Sequence, residues 1–151
     1  MYLHAIDEGH ALLLGVYTNT KQPQDVGQCV DSLHRVDAIA HAQGRGAIFV
    51  IAPDPGYPSP NSRDRQLFAD LKDSCLAEPN ALILLTRSPL VRAVITAVSW
   101  LSPPSDRWHD VACETFAEVI TQTSKIRPES VAALERMERR LRGERRTRMA
   151  G

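Results

Sequence analysis

Cysteines are few in this sequence and stand far apart. The three of them, Cys29, Cys75 and Cys113, are odd in number, and no CxxC pair occurs. Disulfide frameworks need paired cysteines and structural zinc sites need closely spaced ligands, so the sequence predicts neither. Free thiols suit a reducing compartment, and the N-terminus lacks the basic start and long apolar stretch of a signal peptide. We therefore expect a cytoplasmic protein.

The sequence also lacks the short motifs that mark common catalytic sites. It contains no GxxxxGK(S/T), GxGxxG, HExxH or GxSxG pattern and no EF-hand loop, so no cofactor is indicated. His109, Asp110 and Cys113 fall close together, but this spacing is more typical of a small buried residue beside a strand end than of an activated thiol. His34 and His41 share a helix face without further ligands, so no metal site is predicted. These absences favour a protein that is not an enzyme.

Net charge is absent overall but not locally. The 18 basic and 18 acidic residues balance, so no global field steers the chain toward nucleic acid or a membrane. Residues 1–127 hold 11 basic and 14 acidic residues, whereas residues 128–151 hold seven arginines and four glutamates. We therefore predict a domain over 1–127 followed by a basic helical tail over 128–151.

The basic tail allows two interpretations. Glu135, Glu138 and Glu144 each precede an arginine by four residues, which favours a solvated helix with its own ion pairs. The tail also has a narrow apolar stripe, which suits docking on the domain or on a partner. This stripe consists of Val131, Leu134, either Met137 or Glu138, and Leu141. The tail lacks aromatic residues for reading bases, so sequence-specific binding to nucleic acid is not expected.

One long apolar stretch, residues 81–101, has Arg87 and Arg92 as its charged residues. A membrane span needs about 20 consecutive apolar residues, and each arginine near the bilayer centre costs about 2.5–3.5 kcal/mol. The stretch instead indicates a strand that ends at Arg87 and a helix that begins with Ser88 and Pro89. We therefore predict no membrane span.

Apolar runs that alternate with helical periodicity predict a single α/β domain. We expect a mixed, mostly parallel sheet of four to five strands with packed helices, in which the first two strands form an antiparallel hairpin and 46–53 and 80–87 are central. In helix 62–77 the periodicity places Leu67, Phe68, Leu71, Cys75 and Leu76 inward. The predicted strands are 2–6, 10–18, 46–53, 80–87 and 107–112, and the predicted helices are 23–44, 62–77, 88–101, 113–124 and 128–148.

The helix over 88–101 is apolar around most of its circumference. Its polar wedge is narrow, so a sheet alone leaves apolar surface exposed. We predict that Val91, Ile95 and Trp100 form an interface, covered by the C-terminal helices or by a second copy of the chain.

The carboxyl ends of parallel strands are the usual ligand edge of such sheets. Asp54 and Tyr57 follow one predicted strand and Arg87 follows another, while Ser62 and Ser88 begin helices whose N–H groups attract anions. Arg87, Ser88, Asp54 and Ser62 are therefore candidates for an anion or nucleotide site. In the alternative interpretation, both serines only cap helices and Arg87 is a surface charge.

The layout resembles the STAS and SpoIIAA-like domains of bacteria over residues 2–124. The resemblance is carried by "GAIFVIAP", "ALILLTRSPLVRAVITAVSWL" and "HDVACETFAEVI". It implies a mixed sheet with packed helices and a regulatory module that binds another protein. Members that act as anti-sigma-factor antagonists carry a phosphorylated serine in a "DSSG"-like turn. The matching region here offers Ser59 and Ser62 without that motif.

Three functional hypotheses remain open from the sequence. The leading one is a non-enzymatic, STAS-like protein-interaction or regulatory module. The second is a sensor or enzyme that binds a small molecule or anion near Asp54, Arg87 and Ser88. The third is a self-assembling structural subunit, so the expected partner is another protein or a second copy.

Overall fold

The chain is described from a computed structural model that covers residues 1–101 and 106–151, without the side chains at positions 94, 95 and 98–101. Its strands are β1 Tyr2–Asp7, β2 Leu12–Tyr17, β3 Ile48–Pro53, β4 Asn80–Leu85 and β5 Trp108–Cys113. Its helices are α1 Asp25–Ala42, α2 Ser62–Ser74, α3 Pro89–Leu101, α4 Phe116–Ile126 and α5 Val131–Ala150, with a short 3-10 turn at Pro128–Ser130 before α5.

Within the described ranges, five strands form one sheet in the order β1-β2-β3-β4-β5. β1 and β2 pair antiparallel through a turn at residues 8–11, and every later pair is parallel. The predicted α/β class, the mixed sheet and the hairpin are confirmed. β3 and β4 lie inside the sheet, as their continuous apolar letters indicate, because a strand covered on both faces has no polar side.

The helices divide between the two faces of the sheet. Each crossover from β2 to β5 moves one strand along, and right-handed crossovers place α1, α2 and α3 on the same face. The core on that face includes Phe49 and Val36. On the other face, α4 and α5 cover a second core that includes Val50 and Ile83.

Helix α5 packs on the sheet through its apolar stripe. Leu134, Met137 and Leu141 are buried in the same core as Leu14 of β2. The helix also pairs Arg145 with Asp54, just after β3, through two hydrogen bonds of 2.8 and 2.5 Å. Of the predicted pairs within this helix, Glu138 and Arg142 are in contact. The basic segment therefore docks on the domain.

The ends of α1 and α2 differ from the predicted ones because buried carboxylates bind the main chain. α1 begins at Asp25, not at Pro23, since the Asp25 carboxylate accepts the Gln22 N–H. α2 ends at Ser74, because the N–H groups of Leu76 and Ala77 both donate to Asp37 at 2.9 Å. The predicted inward position of Leu76 is wrong, since this side chain is 61% exposed.

The prediction that Leu67 of α2 points inward is also wrong. Leu67 is 38% exposed, whereas Leu71 is buried and Phe68 is half-buried. Its apolar stripe is therefore narrower than the sequence indicates. Across the described residues, every helix is too short or too polar to serve as a membrane span.

Candidate functional site

A largely apolar cavity of about 100 Å³ lies between the sheet and the α1–α3 layer. The side chains of Ile51, Leu82 and Leu84 form its floor on β3 and β4, since residues two apart on a strand share a face. The described residues that line it are Tyr17, Lys21, Val26, Leu33, Ile51, Pro53, Tyr57, Pro58, Pro60, Asp64, Phe68, Leu71, Lys72, Leu82, Leu84, Val91 and Trp108.

Aromatic residues form two walls of this cavity. Tyr57 lies in the proline-rich loop between β3 and α2, and its ring centre is 4.7 Å from that of Tyr17. Trp108 begins β5, stacks at 5.8 Å on Phe49 and donates its indole N–H to the Lys72 carbonyl. Packed rings with a hydrogen-bonded edge hold their positions well, so these two walls are preformed.

The charged groups that line the cavity in the described part of the chain are held in ion pairs. The Lys21 ammonium lies 3.6 Å from Asp64, and the Lys72 ammonium pairs with Asp110 while lying 5.1 Å from the centre of the Trp108 ring. Burial and the Asp25 carboxylate both raise the pKa of the Tyr57 hydroxyl, which therefore stays protonated. Ion pairs and a hydrogen bond therefore hold Lys21, Lys72 and Tyr57 in fixed positions at the cavity wall.

Asp25 anchors the Tyr57 wall. Its side chain is buried and accepts hydrogen bonds from the Tyr57 hydroxyl at 2.9 Å and from the N–H groups of Tyr2 and Gln22 at 2.8 Å. Burial by itself would raise the pKa of Asp25, but these hydrogen bonds outweigh burial and lower it below the ordinary value. The carboxylate is thus ionised when the loop is in place.

This lowered pKa predicts an acid-sensitive contribution to stability. Because the folded pKa lies below the unfolded one, the stabilisation is present above the unfolded value of about 3.9 and is lost as pH falls through the folded pKa. We expect Asp25→Asn to flatten the fall in the free energy of unfolding between pH 5 and pH 2 in urea titrations. Asp73→Asn, an exposed change on α2 and away from the cavity, is the control and should follow the wild-type curve. Identical curves for the wild type and Asp25→Asn would contradict the role given to this carboxylate.

The thiols of Cys29, Cys75 and Cys113 are all buried. Burial raises the pKa of Cys29 to about 11 and that of Cys75 to about 12. Burial also raises the pKa of Cys113, and the charge of Glu118 raises it further. The thiolate is the reactive form, so these positions do not favour nucleophilic chemistry.

The predicted anion-site residues each have partners within the fold. Asp54 turns toward α5 and binds Arg145, while Ser62 lies on α2, across the sheet, and accepts from Arg65 at 3.0 Å. The Ser88 hydroxyl accepts the Val91 N–H at 3.3 Å and so caps α3. Arg87 is exposed and donates its Nε–H to the Glu114 carbonyl at 3.4 Å. These contacts agree with the alternative interpretation of caps and a surface charge, and the anion site stays a prediction.

The structure describes the side chains of some of the predicted phosphorylation and interface residues, but not of all of them. Ser59 is half-buried in the loop before α2 and Ser62 is exposed, so phosphorylation at either serine stays a prediction. Val91, a predicted interface residue, lines the cavity. The side chains of Ile95 and Trp100 lie outside the described residues.

Sequence reasoning missed Lys21, Lys72 and Trp108. The available signal was the loop 54–61, which carries three prolines and a tyrosine directly after a buried strand. Loops at that end of a strand commonly build binding sites. Within residues 1–101 and 106–151, no three histidine, cysteine or acidic side chains are grouped as metal ligands.

Comparisons with protein-family models, with curated proteins and with solved structures give no match for this chain.

Proposed function

We propose that the chain is a non-enzymatic regulatory binding module whose cavity takes a small apolar ligand. The observation that carries the proposal is the composition of the cavity wall. It combines aliphatic residues from two strands with the rings of Tyr57 and Trp108, and its charged groups are held in ion pairs. Concave apolar sites with a few fixed polar groups are the usual form of small-molecule sites.

The size and shape of the cavity favour a compact ligand. A volume near 100 Å³ is smaller than the apolar cavity of about 150 Å³ that holds benzene, so it suits a ring or a branched aliphatic group smaller than benzene. The ligand gains free energy mainly by leaving water, at about 25 cal/mol for each Å² of apolar surface buried. A regulatory role, which the resemblance to STAS domains also implies, would follow if the occupied cavity fixes α3 on the sheet through Val91.

A cavity-filling substitution tests this function. We expect cyclopropane or isobutane, at tenfold its Kd, to stabilise the wild-type chain by about 1.4 kcal/mol in thermal unfolding. Leu82→Phe places a ring in the cavity and should abolish this stabilisation. Leu85→Phe adds the same ring to the same strand on the opposite face and should leave it intact, because Leu85 packs against the α4–α5 core.

Two outcomes would count against the proposal. One is a wild-type chain that none of a panel of small apolar compounds stabilises. The other is an equal response of Leu82→Phe and Leu85→Phe, which would place the binding outside the cavity.

A further inference from the structure

The outer edge of β1 carries main-chain groups that no other strand pairs. β1 is the first strand in the sheet order, so β2 is its single neighbour among the described strands. The Met1 carbonyl accepts the Thr18 N–H at 2.8 Å, and pairing alternates along an antiparallel strand. Leu3 and Ala5 therefore bind β2, whereas the N–H and C=O groups of Tyr2, His4 and Ile6 point outward.

Two features limit this open edge to a short segment. The Tyr2 N–H already donates to the Asp25 carboxylate at 2.8 Å, and the turn at residues 8–11 ends the strand on the other side. His4 and Ile6 remain, and in the described part of the chain no strand or loop hydrogen-bonds to their outward N–H and C=O groups. They offer two donors and two acceptors along one line.

A groove of about 630 Å³ follows this edge between α1 and α5. α1 runs in the direction of β1, since Asp25 contacts Tyr2 and Arg35 contacts Glu8. The exposed charges that α1 adds to the groove are Asp31 and Arg35, and those that α5 adds are Glu144 and Arg148. Each helix therefore contributes one charge of each sign.

Helix α5 runs in the opposite direction to β1. Arg136 approaches Asp7 at 4.0 Å near the end of the strand, and Arg148 contacts the sulfur of Met1 at 3.3 Å near its start. The middle of β1 is therefore level with the part of α1 between Asp25 and Arg35 and with the part of α5 between Arg136 and Arg148. A twofold axis through that point lays each of these two helix segments beside its own copy in the reverse direction.

We propose that two copies of the chain join by antiparallel pairing of their β1 strands about a twofold axis beside Ala5. In this register His4 of one copy faces Ile6 of the other, and the free groups of both residues form four hydrogen bonds. Ala5 meets its own copy at the closely spaced, non-hydrogen-bonded position, where a small side chain fits. The two sheets then become one.

The charges of the groove favour a second copy over a peptide of one charge sign. The twofold axis reverses α1, so Asp31 approaches Arg35 of the second copy and Arg35 approaches Asp31. On α5 the same reversal brings Arg136 toward Glu144 of the second copy. A uniformly acidic or basic segment would meet like charges on both helices. A surface that carries both signs in this order is complementary to itself, as a twofold interface requires.

Sedimentation equilibrium on the full chain tests the proposal. We expect the wild type to form a dimer, and His4→Pro to weaken it by roughly tenfold or more, since proline removes one outward N–H from each copy. Proline is tolerated on the open side of an edge strand, so the fold should persist. His4→Ala keeps the N–H and is the matched control, which should dimerise like the wild type.

Charge reversal provides a second measurement that does not alter the strand. Asp31→Arg and Arg35→Asp should each weaken the dimer, and the double variant should restore it. A wild-type chain that sediments as a monomer at every concentration would overturn the proposal. A dimer equally stable in His4→Pro and His4→Ala, with no restoration in the double charge variant, would place the interface elsewhere and also overturn it.

Discussion

Replacing Gly46 with alanine is expected to lower the free energy of unfolding by about 4 kcal/mol or more. A Cβ atom at this position would lie 1.6 Å from the carbonyl oxygen of Pro79 and 2.5 Å from its carbonyl carbon. Both are main-chain atoms beside β4, so the start of β3 would have to move away from it. The Gly46 carbonyl also accepts a hydrogen bond from the buried guanidinium of Arg127, and the same movement would disturb that hydrogen bond.

Urea unfolding monitored by circular dichroism measures this change. Gly27→Ala is the matched control, because no atom lies within 4 Å of the Cβ position there and the residue is exposed on α1. Alanine at that helical position should stabilise the chain by about 0.5–1 kcal/mol. A Gly46→Ala variant with wild-type stability would show that β3 and the segment before β4 are not in this close contact.

The second large effect is expected at Asp37, where alanine should cost about 3–5 kcal/mol. The carboxylate is 4% exposed and accepts the N–H groups of Leu76 and Ala77 at 2.9 Å and the Asn80 side-chain amide at 3.3 Å. Removing it leaves several donors at a buried site, and each unsatisfied donor costs about 1–3 kcal/mol. Asn80 in turn accepts the Ala47 N–H at 2.8 Å, so the loss extends to β3.

The midpoint of urea unfolding gives this cost directly when the slope of the transition is unchanged. Asp73→Ala removes a carboxylate of α2 at an exposed position and should change stability by less than about 0.5 kcal/mol. Equal midpoints for Asp37→Ala and Asp73→Ala would show that Asp37 does not hold the segment after α2.

The sheet was predictable because the local sequence identifies its central strands. Residues 48–53 and 81–85 of β3 and β4 are apolar, and each strand is followed by a helix with a clear start, Asn61 before α2 and Ser88 before α3. The ends of α1 and α2 were not predictable in the same way. They depend on Asp25 and Asp37, whose partners lie up to 43 residues away in the sequence.

Only a few of the residues that line the cavity could be predicted from the sequence. Tyr57 and Val91 were expected at the ligand edge and at the apolar face of α3, and both line the cavity. Lys72 and Trp108 come from a helix and a later strand that the crossovers bring together. Whether their side chains leave a cavity depends on how the helices pack on the sheet, and a local sequence pattern does not determine the volume of such a cavity.

The position of α5 has a consequence for the order in which the molecule is made. β1 to β4 are synthesised well before the helix that covers one face of their sheet, and Leu134, Met137 and Leu141 complete that core last. Until they arrive, apolar side chains of the nascent sheet remain open to water and to other chains, which is the condition that leads to aggregation and recruits chaperones. A ribosome that pauses just before residue 131 would therefore hold this protein at its most vulnerable stage.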